Sequence, residues 1–156
     1  MMKGEALLAA GCFWGVEEAF RTLKGVTQTK VGYSGGTTSG PTYSEVCRGD
    51  TGHAEVVHVV FDRASIRYAD VLRYFFQIHD PSQMNRQGPD IGRQYRSAIF
   101  YYDEEQRLIA EQEKALAAQR LGLQIATEIT PASRFFSAEA YHQKYILKKT
   151  GSYEPK

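Results

Sequence analysis

A short apolar segment from Glu5 to Ala10 passes without a linker into Gly11-Cys12-Phe13-Trp14-Gly15, and a helical periodicity begins at once. Val16, Ala19, Phe20 and Leu23 then fall at i, i+3, i+4 and i+7, one face of a helix, with Glu17 and Glu18 near its start and Gly25 as its stop. A buried strand, a tight glycine-flanked turn and an amphipathic helix in such quick succession require a layer of helices packed on a sheet.

The rest of the chain continues the alternation. Val26 to Tyr33 and Ala54 to Phe61 are β-branched strand patterns, and between them Ser34 to Gly52 is a Gly/Ser/Thr-rich loop containing Tyr43 and Cys47. Loops longer than about 12–15 residues are commonly functional. Ser65 is placed to cap a helix through Ile78 that buries Val71, Leu72, Phe75 and Phe76. A second polar loop runs from His79 to Gln94, followed by a strand from Tyr95 to Tyr102. Asp103 and Gln106 have capping-box spacing for a helix to about Arg120, Gly122 closes it, and Leu123 to Thr130 reads as a last strand before Pro131. The order β-α-β-β-α-β, then α-β, predicts an α+β fold: a ferredoxin-like two-layer α/β sandwich on a mixed sheet, with an extra helix and strand. The two long loops flank the Ala54 strand and are natural walls for a site.

At 156 residues the chain reads as a single catalytic domain, 1–156, with 146–156 a short tail; a domain of this size buries about two-thirds of its unfolded surface without staples. Nineteen Lys+Arg against 18 Asp+Glu leave a net charge of +1 and no basic stripe, so neither nucleic acid nor a membrane surface is an expected partner. The longest apolar run near the start, Ala6 to Ala10, is too short for a signal-peptide core or a spanning helix, and a cytoplasmic location is expected. Two cysteines, Cys12 and Cys47, are too few for a disulfide scaffold, so either thiol matters chemically if it matters at all. Cys47, His53 and His58 match no usual zinc spacing, and no metal is expected. His53 is better suited to bracing its loop by hydrogen bonds to backbone.

Cys12 stands at the first turn of the helix, where free N–H groups and the helix dipole favour a thiolate and can lower a thiol pKa from ~8.5 to roughly 3.5–7.5. That placement suits a nucleophile. It equally suits a small buried hydrophobe beside Phe13 and Trp14.

The pentapeptide Gly11-Cys12-Phe13-Trp14-Gly15 after an apolar strand resembles the signature of the peptide methionine-S-sulfoxide reductases, the A-type reductase family. The resemblance continues in collinear order through Gly32-Tyr33-Ser34-Gly35-Gly36, Tyr43-Ser44-Glu45-Val46-Cys47 and Thr51-Gly52-His53-Ala54-Glu55-Val56-Val57. It then takes in His79-Asp80-Pro81, Asn85-Arg86-Gln87-Gly88, Asp90-Ile91-Gly92, Gln94-Tyr95-Arg96-Ser97 and Tyr141-His142-Gln143-Lys144-Tyr145. It implies thiol-dependent reduction of the S epimer of methionine sulfoxide in proteins, peptides and the free amino acid, repairing oxidative damage through a Cys12 sulfenic acid. Carried over residue by residue, it assigns Cys12 as nucleophile, Glu55 as the acid, Tyr43 and Tyr95 as hydrogen-bond donors to the sulfoxide oxygen, Phe13 and Trp14 as the wall for the S-methyl group, and Asp90 as a substrate-side carboxylate. The chemistry needs an acid beside the thiolate, and a Glu serves near neutral pH only when burial raises its pKa.

No metal, flavin or nicotinamide is implied, since electrons come from an external thiol such as thioredoxin or a glutaredoxin-type reductant, and a monomer is expected. In many members a resolving cysteine follows in a glycine-rich C-terminus, but Gly151-Ser152-Tyr153-Glu154 has Glu154 at that place. Three routes for regeneration stay open: direct attack by an external thiol, which is favoured, resolution by Cys47, or a tail that continues beyond the given sequence. Two rivals share the residues. One is a sensor that binds oxidised methionine and reacts once, the other a thiol peroxidase, which the aromatic wall and Glu55 suit less well.

Overall fold

The computed structural model describes residues 2–150, so the tail reading for 151–156 lies outside the described residues. The elements run β1 (Lys3–Ala10), α1 (Phe13–Arg21), β2 (Val26–Ser34), α2 (Tyr43–Cys47), β3 (Ala54–Asp62), α3 (Tyr68–Gln77), β4 (Arg86–Gln87), β5 (Asp90–Ile91), β6 (Ser97–Tyr101), α4 (Glu104–Leu121), β7 (Glu128–Pro131), β8 (Phe136–Ser137) and α5 (Tyr145–Lys149). One sheet has the order β7-β6-β1-β3-β2-β8, and β4 pairs with β5 as a separate hairpin. Its inner strands β6-β1-β3-β2 are antiparallel neighbours, the expected split βαβ arrangement, and β7 adds the expected extra strand in parallel with β6. The sheet is therefore mixed.

β1 explains why the first apolar run does not alternate. It lies between β3 and β6, and Ala6 to Ala10 are all buried because both faces are covered. On one face Ala6, Leu8 and Ala10 meet Phe13, Val16 and Phe20 of α1, the Val71, Leu72 and Phe75 ridge of α3, and Ala110 and Ala117 of α4. On the other, Leu7 and Ala9 form a smaller cluster with Ala54, Val56, Ala98 and Phe100, closed by Ala132 and Phe135. Among the described residues no helix is long and apolar enough to cross a membrane.

Several local expectations shift. Ser65 does not cap α3: its hydroxyl donates to Asp62, and Arg67 with Asp70 forms the start of the helix instead. The Ser34 to Gly52 loop contains α2, whose capping box uses Thr42 and Glu45 in both directions. The polar loop folds into the β4-β5 hairpin, and Tyr95 leaves the sheet in a 3-10 turn, Arg93–Tyr95, entered through Gly92 at φ 144. Of the expected last strand only the part from Glu128 to Thr130 pairs, and β7 runs on through the expected stop at Pro131, while upstream the Ala126 N–H donates to the Pro81 carbonyl.

Gly11 makes the turn from β1 into α1 at φ +102, and a Cβ there would lie 2.9 Å from the side chain of Gln87 in β4. Gly11→Ala is therefore expected to cost about 1–3 kcal/mol through backbone strain and contact with the hairpin that carries Asp90. Thermal denaturation checks this; an unchanged midpoint would contradict the geometry.

Candidate active site

Cys12 is the N-cap of α1 and is partly exposed, held where β1 leaves the sheet. The N–H of Phe13, one of the donors that a helix start leaves without an intrahelical partner, donates to Glu55 Oε1 at 3.1 Å. Glu55 reaches it from the second position of β3, where it pairs with Tyr33 and is 1% exposed. Its other oxygen, Oε2, is buried and has no hydrogen-bond partner. A strand residue 42 positions away thus closes the helix start with one oxygen and leaves the second free for another group.

The electrostatics follow from burial. Desolvation pushes the Glu55 carboxyl up to about 8, the Phe13 N–H opposes the shift, and the charge of Asp90 adds to it. Near neutral pH the group is a carboxylic acid. Cys12 differs from the sequence expectation of a lowered thiol pKa. Burial pushes it up to about 11; the amides of Trp14 and Gly15 pull it down, but Glu55 and Asp90 raise it further. The helix start acts in the expected direction and loses to desolvation.

Tyr43, Tyr95 and Asp90 all come to the same place. The phenols of both tyrosines are raised first by burial and also by the charge of Glu55, and Tyr95 lies at about 12. Asp90, at the start of β5, acts on Cys12, Glu55 and Tyr95 alike. Both phenols stay protonated and can donate. The Tyr43 hydroxyl is directed to the thiol of Cys47 one helical turn on, so Cys47 borders the site from α2.

Phe13 and Trp14 divide between packing and surface. Phe13 is buried at ring-centroid distances of 5.7 Å from Tyr33, 6.4 Å from Tyr43 and 5.2 Å from His142. Trp14 is partly exposed, stacks on Tyr145 at 3.8 Å and 10°, and donates from Nε1 to His142 Nδ1 at 2.9 Å. Trp14 therefore presents the apolar surface and Phe13 backs it. His53 has the expected bracing role: its Nδ1 accepts the Gly36 N–H at 3.0 Å and its Nε2 bonds the Thr38 carbonyl at 2.6 Å.

The C-terminal segment supplies groups to which the sequence assigned no role. Glu139 accepts the Tyr33 hydroxyl at 2.8 Å and the Tyr43 N–H at 3.0 Å, fixing the start of α2. His142 is 1% exposed between Phe13, Trp14 and Tyr43, and burial lowers its pKa, so it is a neutral acceptor for the indole. The only sequence signal for His142 was the Tyr141 to Tyr145 string, which names no partner, and Glu139 lies outside that string. Among the described residues no group of three or more His, Cys, Asp or Glu side chains is placed to hold a metal ion.

The family model of peptide methionine sulfoxide reductase matches residues 4–155. The peptide methionine sulfoxide reductase MsrA of Methanosarcina acetivorans is 54% identical over 147 residues, 93% of this chain and 78% of that protein. The reduced form of Mxr1 from Saccharomyces cerevisiae superposes with a TM-score of 0.90 at 36% identity, covering 99% of this chain and 89% of the yeast chain. Mxr1 in complex with Trx2 has a TM-score of 0.67 at 26% identity, covering 92% and 85%.

Proposed function

The chain belongs to the peptide methionine sulfoxide reductase family and is an enzyme that reduces methionine sulfoxide, and from that premise we propose how its residues divide the work. The observation that carries the reading is Glu55: a buried carboxyl, protonated near neutral pH, with one oxygen on the Phe13 amide and the other without a partner beside Cys12. That free oxygen is the group to meet the sulfoxide oxygen. The phenols of Tyr43 and Tyr95 donate to the same oxygen, Tyr43 exchanging its contact with Cys47 for the substrate, while Trp14, backed by Phe13, takes the S-methyl group and Asp90 stands toward the peptide.

The sulfur of Cys12 attacks the sulfoxide sulfur while Glu55 gives its proton to the oxygen and receives the thiol proton, ending as it began. The oxygen passes to Cys12: thiol plus sulfoxide gives sulfenic acid plus thioether, with Cys12 oxidised by two electrons and the substrate sulfur reduced by two. One external thiol then displaces water from the sulfenic acid to form a mixed disulfide, and a second releases Cys12 as thiol. The S epimer is the expected substrate, and a thioredoxin-type dithiol the expected reductant, supported by the complex of Mxr1 with Trx2.

Repeated turnover of a methionine sulfoxide peptide with excess dithiothreitol tests the reading. Many equivalents of methionine per protein are expected, and one equivalent and no more would favour a sensor. Intact mass after one equivalent of substrate without reductant separates the routes: a gain of one oxygen marks a sulfenic acid on Cys12, a loss of two hydrogens a Cys12–Cys47 bridge.

A further inference from the structure

Glu17 is a buried carboxylate with no part in the chemistry above. It is 2% exposed in α1, one turn beyond Trp14. Its Oε1 accepts the backbone N–H of Lys144 at 2.8 Å, and its Oε2 accepts the Lys144 ammonium at 2.9 Å and the Thr29 hydroxyl at 2.8 Å. The same ammonium donates to the Thr29 carbonyl at 2.6 Å, so the carboxylate, the lysine and β2 form one closed set. Placing a carboxylate in so dry a spot is costly without partners, and this one has three donors.

Lys144 is one of two non-glycine residues at positive φ among the described residues, at 54°. That conformation is disfavoured for a side chain of this kind and persists only where its surroundings hold it. The reversal it makes matters to its neighbours. Just before it, Gln143 bonds the N–H and C=O of Val31 with its side-chain amide, and His142 accepts the Trp14 indole N–H. Just after it, Tyr145 stacks on the same indole. Residues on both sides of one left-handed position therefore grip one ring, and Glu17 is what holds that position to α1.

We propose that Glu17 is a positioning residue for substrate binding: by fixing Lys144 it sets His142 and Tyr145 against Trp14, and so fixes the orientation of the wall that receives the S-methyl group. The inference rests on the reading of Trp14 as that wall. Trp14 is the only tryptophan in the chain, so its fluorescence reports on the grip without interference.

The test uses the full chain with a methionine sulfoxide peptide, measuring single-turnover rates against peptide concentration alongside Trp14 emission. Glu17→Gln is expected to raise the half-saturating peptide concentration about tenfold while the saturated rate stays within about twofold, because the reacting groups are untouched. Trp14 emission should move to the red and lose quenching by the stacked phenol. Should Glu17→Gln fail to fold, Thr29→Val removes a single hydrogen bond to the same carboxylate at nearly constant volume, and should give the same split in smaller measure. An unchanged half-saturation with unchanged emission, or a saturated rate that falls while half-saturation does not, would overturn the proposal. Trp14→Ala separates the two layers of argument: if it leaves half-saturation unchanged, the wall reading fails, and if it raises it while Glu17→Gln does not, only the role of Glu17 fails.

Discussion

Replacement of Cys12 by serine is expected to abolish reduction of methionine sulfoxide, with a loss on the order of 10⁴-fold or more in single turnover. A serine hydroxyl cannot take the sulfoxide oxygen, because no oxidised state of it corresponds to a sulfenic acid. The fold should persist. Cys12 is a free, partly exposed thiol at a helix N-cap, and serine is well suited to that position, so the change in stability should stay below about 1 kcal/mol. Methionine formation followed by mass spectrometry, with circular dichroism on the same sample, checks both halves. Residual activity within tenfold of the native chain, in a folded variant, would mean that the oxygen goes elsewhere, and the exposed Cys47 at the edge of the site would be the first group to examine.

The second large effect is at Glu55. Glu55→Gln keeps an acceptor for the Phe13 N–H but removes the transferable proton, and should cost about 10²–10⁴ in rate. The pH dependence separates this from a packing defect. With a carboxyl pKa of about 8, the native rate should be level in the acid range and fall as pH rises through about 8, while Glu55→Gln shows no such step. A native rate that instead climbs between pH 8 and 9 would mean that thiolate formation, not the acid, controls the reaction. With the Cys12 thiol at about 11 the thiolate fraction grows about tenfold per pH unit across that range, so a thiolate-controlled reaction would climb where the acid-controlled one falls, and the two are told apart.

Stability should move the other way. A carboxyl raised from 4.5 to about 8 on folding binds a proton more tightly in the folded state, so its contribution is fully present below pH 4.5 and is lost as pH rises through about 8. Glu55→Gln removes that penalty. The variant is expected to gain on the order of 3–5 kcal/mol on the native chain above pH 8, with the gap closing toward pH 4. Denaturant unfolding at both ends of that range is the measurement. A catalytic group that lowers stability where it acts is the pattern expected when burial supplies the pKa.

Which parts of this could be read from the chain alone depends on how far each interaction reaches. The apolar run of β1, the Val16 and Phe20 face of α1, the Asp103 cap and the Gly122 stop of α4 depend on residues within a few positions of each other and stand as spacing implies, although α1 ends at Arg21 with Thr22 as its cap, short of Leu23 and of the expected stop at Gly25. The short helix α2 was equally local, since Thr42 and Glu45 carry the capping-box spacing, but the glycine-rich loop around it hides a five-residue helix from periodicity. Ser65 shows the opposite failure: a capable cap lies upstream of a helix that starts at Tyr68, because Asp62 claims it for a turn.

The sequence by itself determined where the thiol sits, that a helix begins on it, and through the motif string which residues to gather around it. Only the tertiary structure decided their protonation, since desolvation sums over every neighbour brought in from distant elements, and at Cys12 that sum reverses the local influence of the helix start. It alone also decided what holds the aromatic wall. Glu17 and Lys144 are 127 residues apart and Trp14 and His142 are 128, separations at which side-chain chemistry leaves no spacing to read and only the folded backbone makes partners of them.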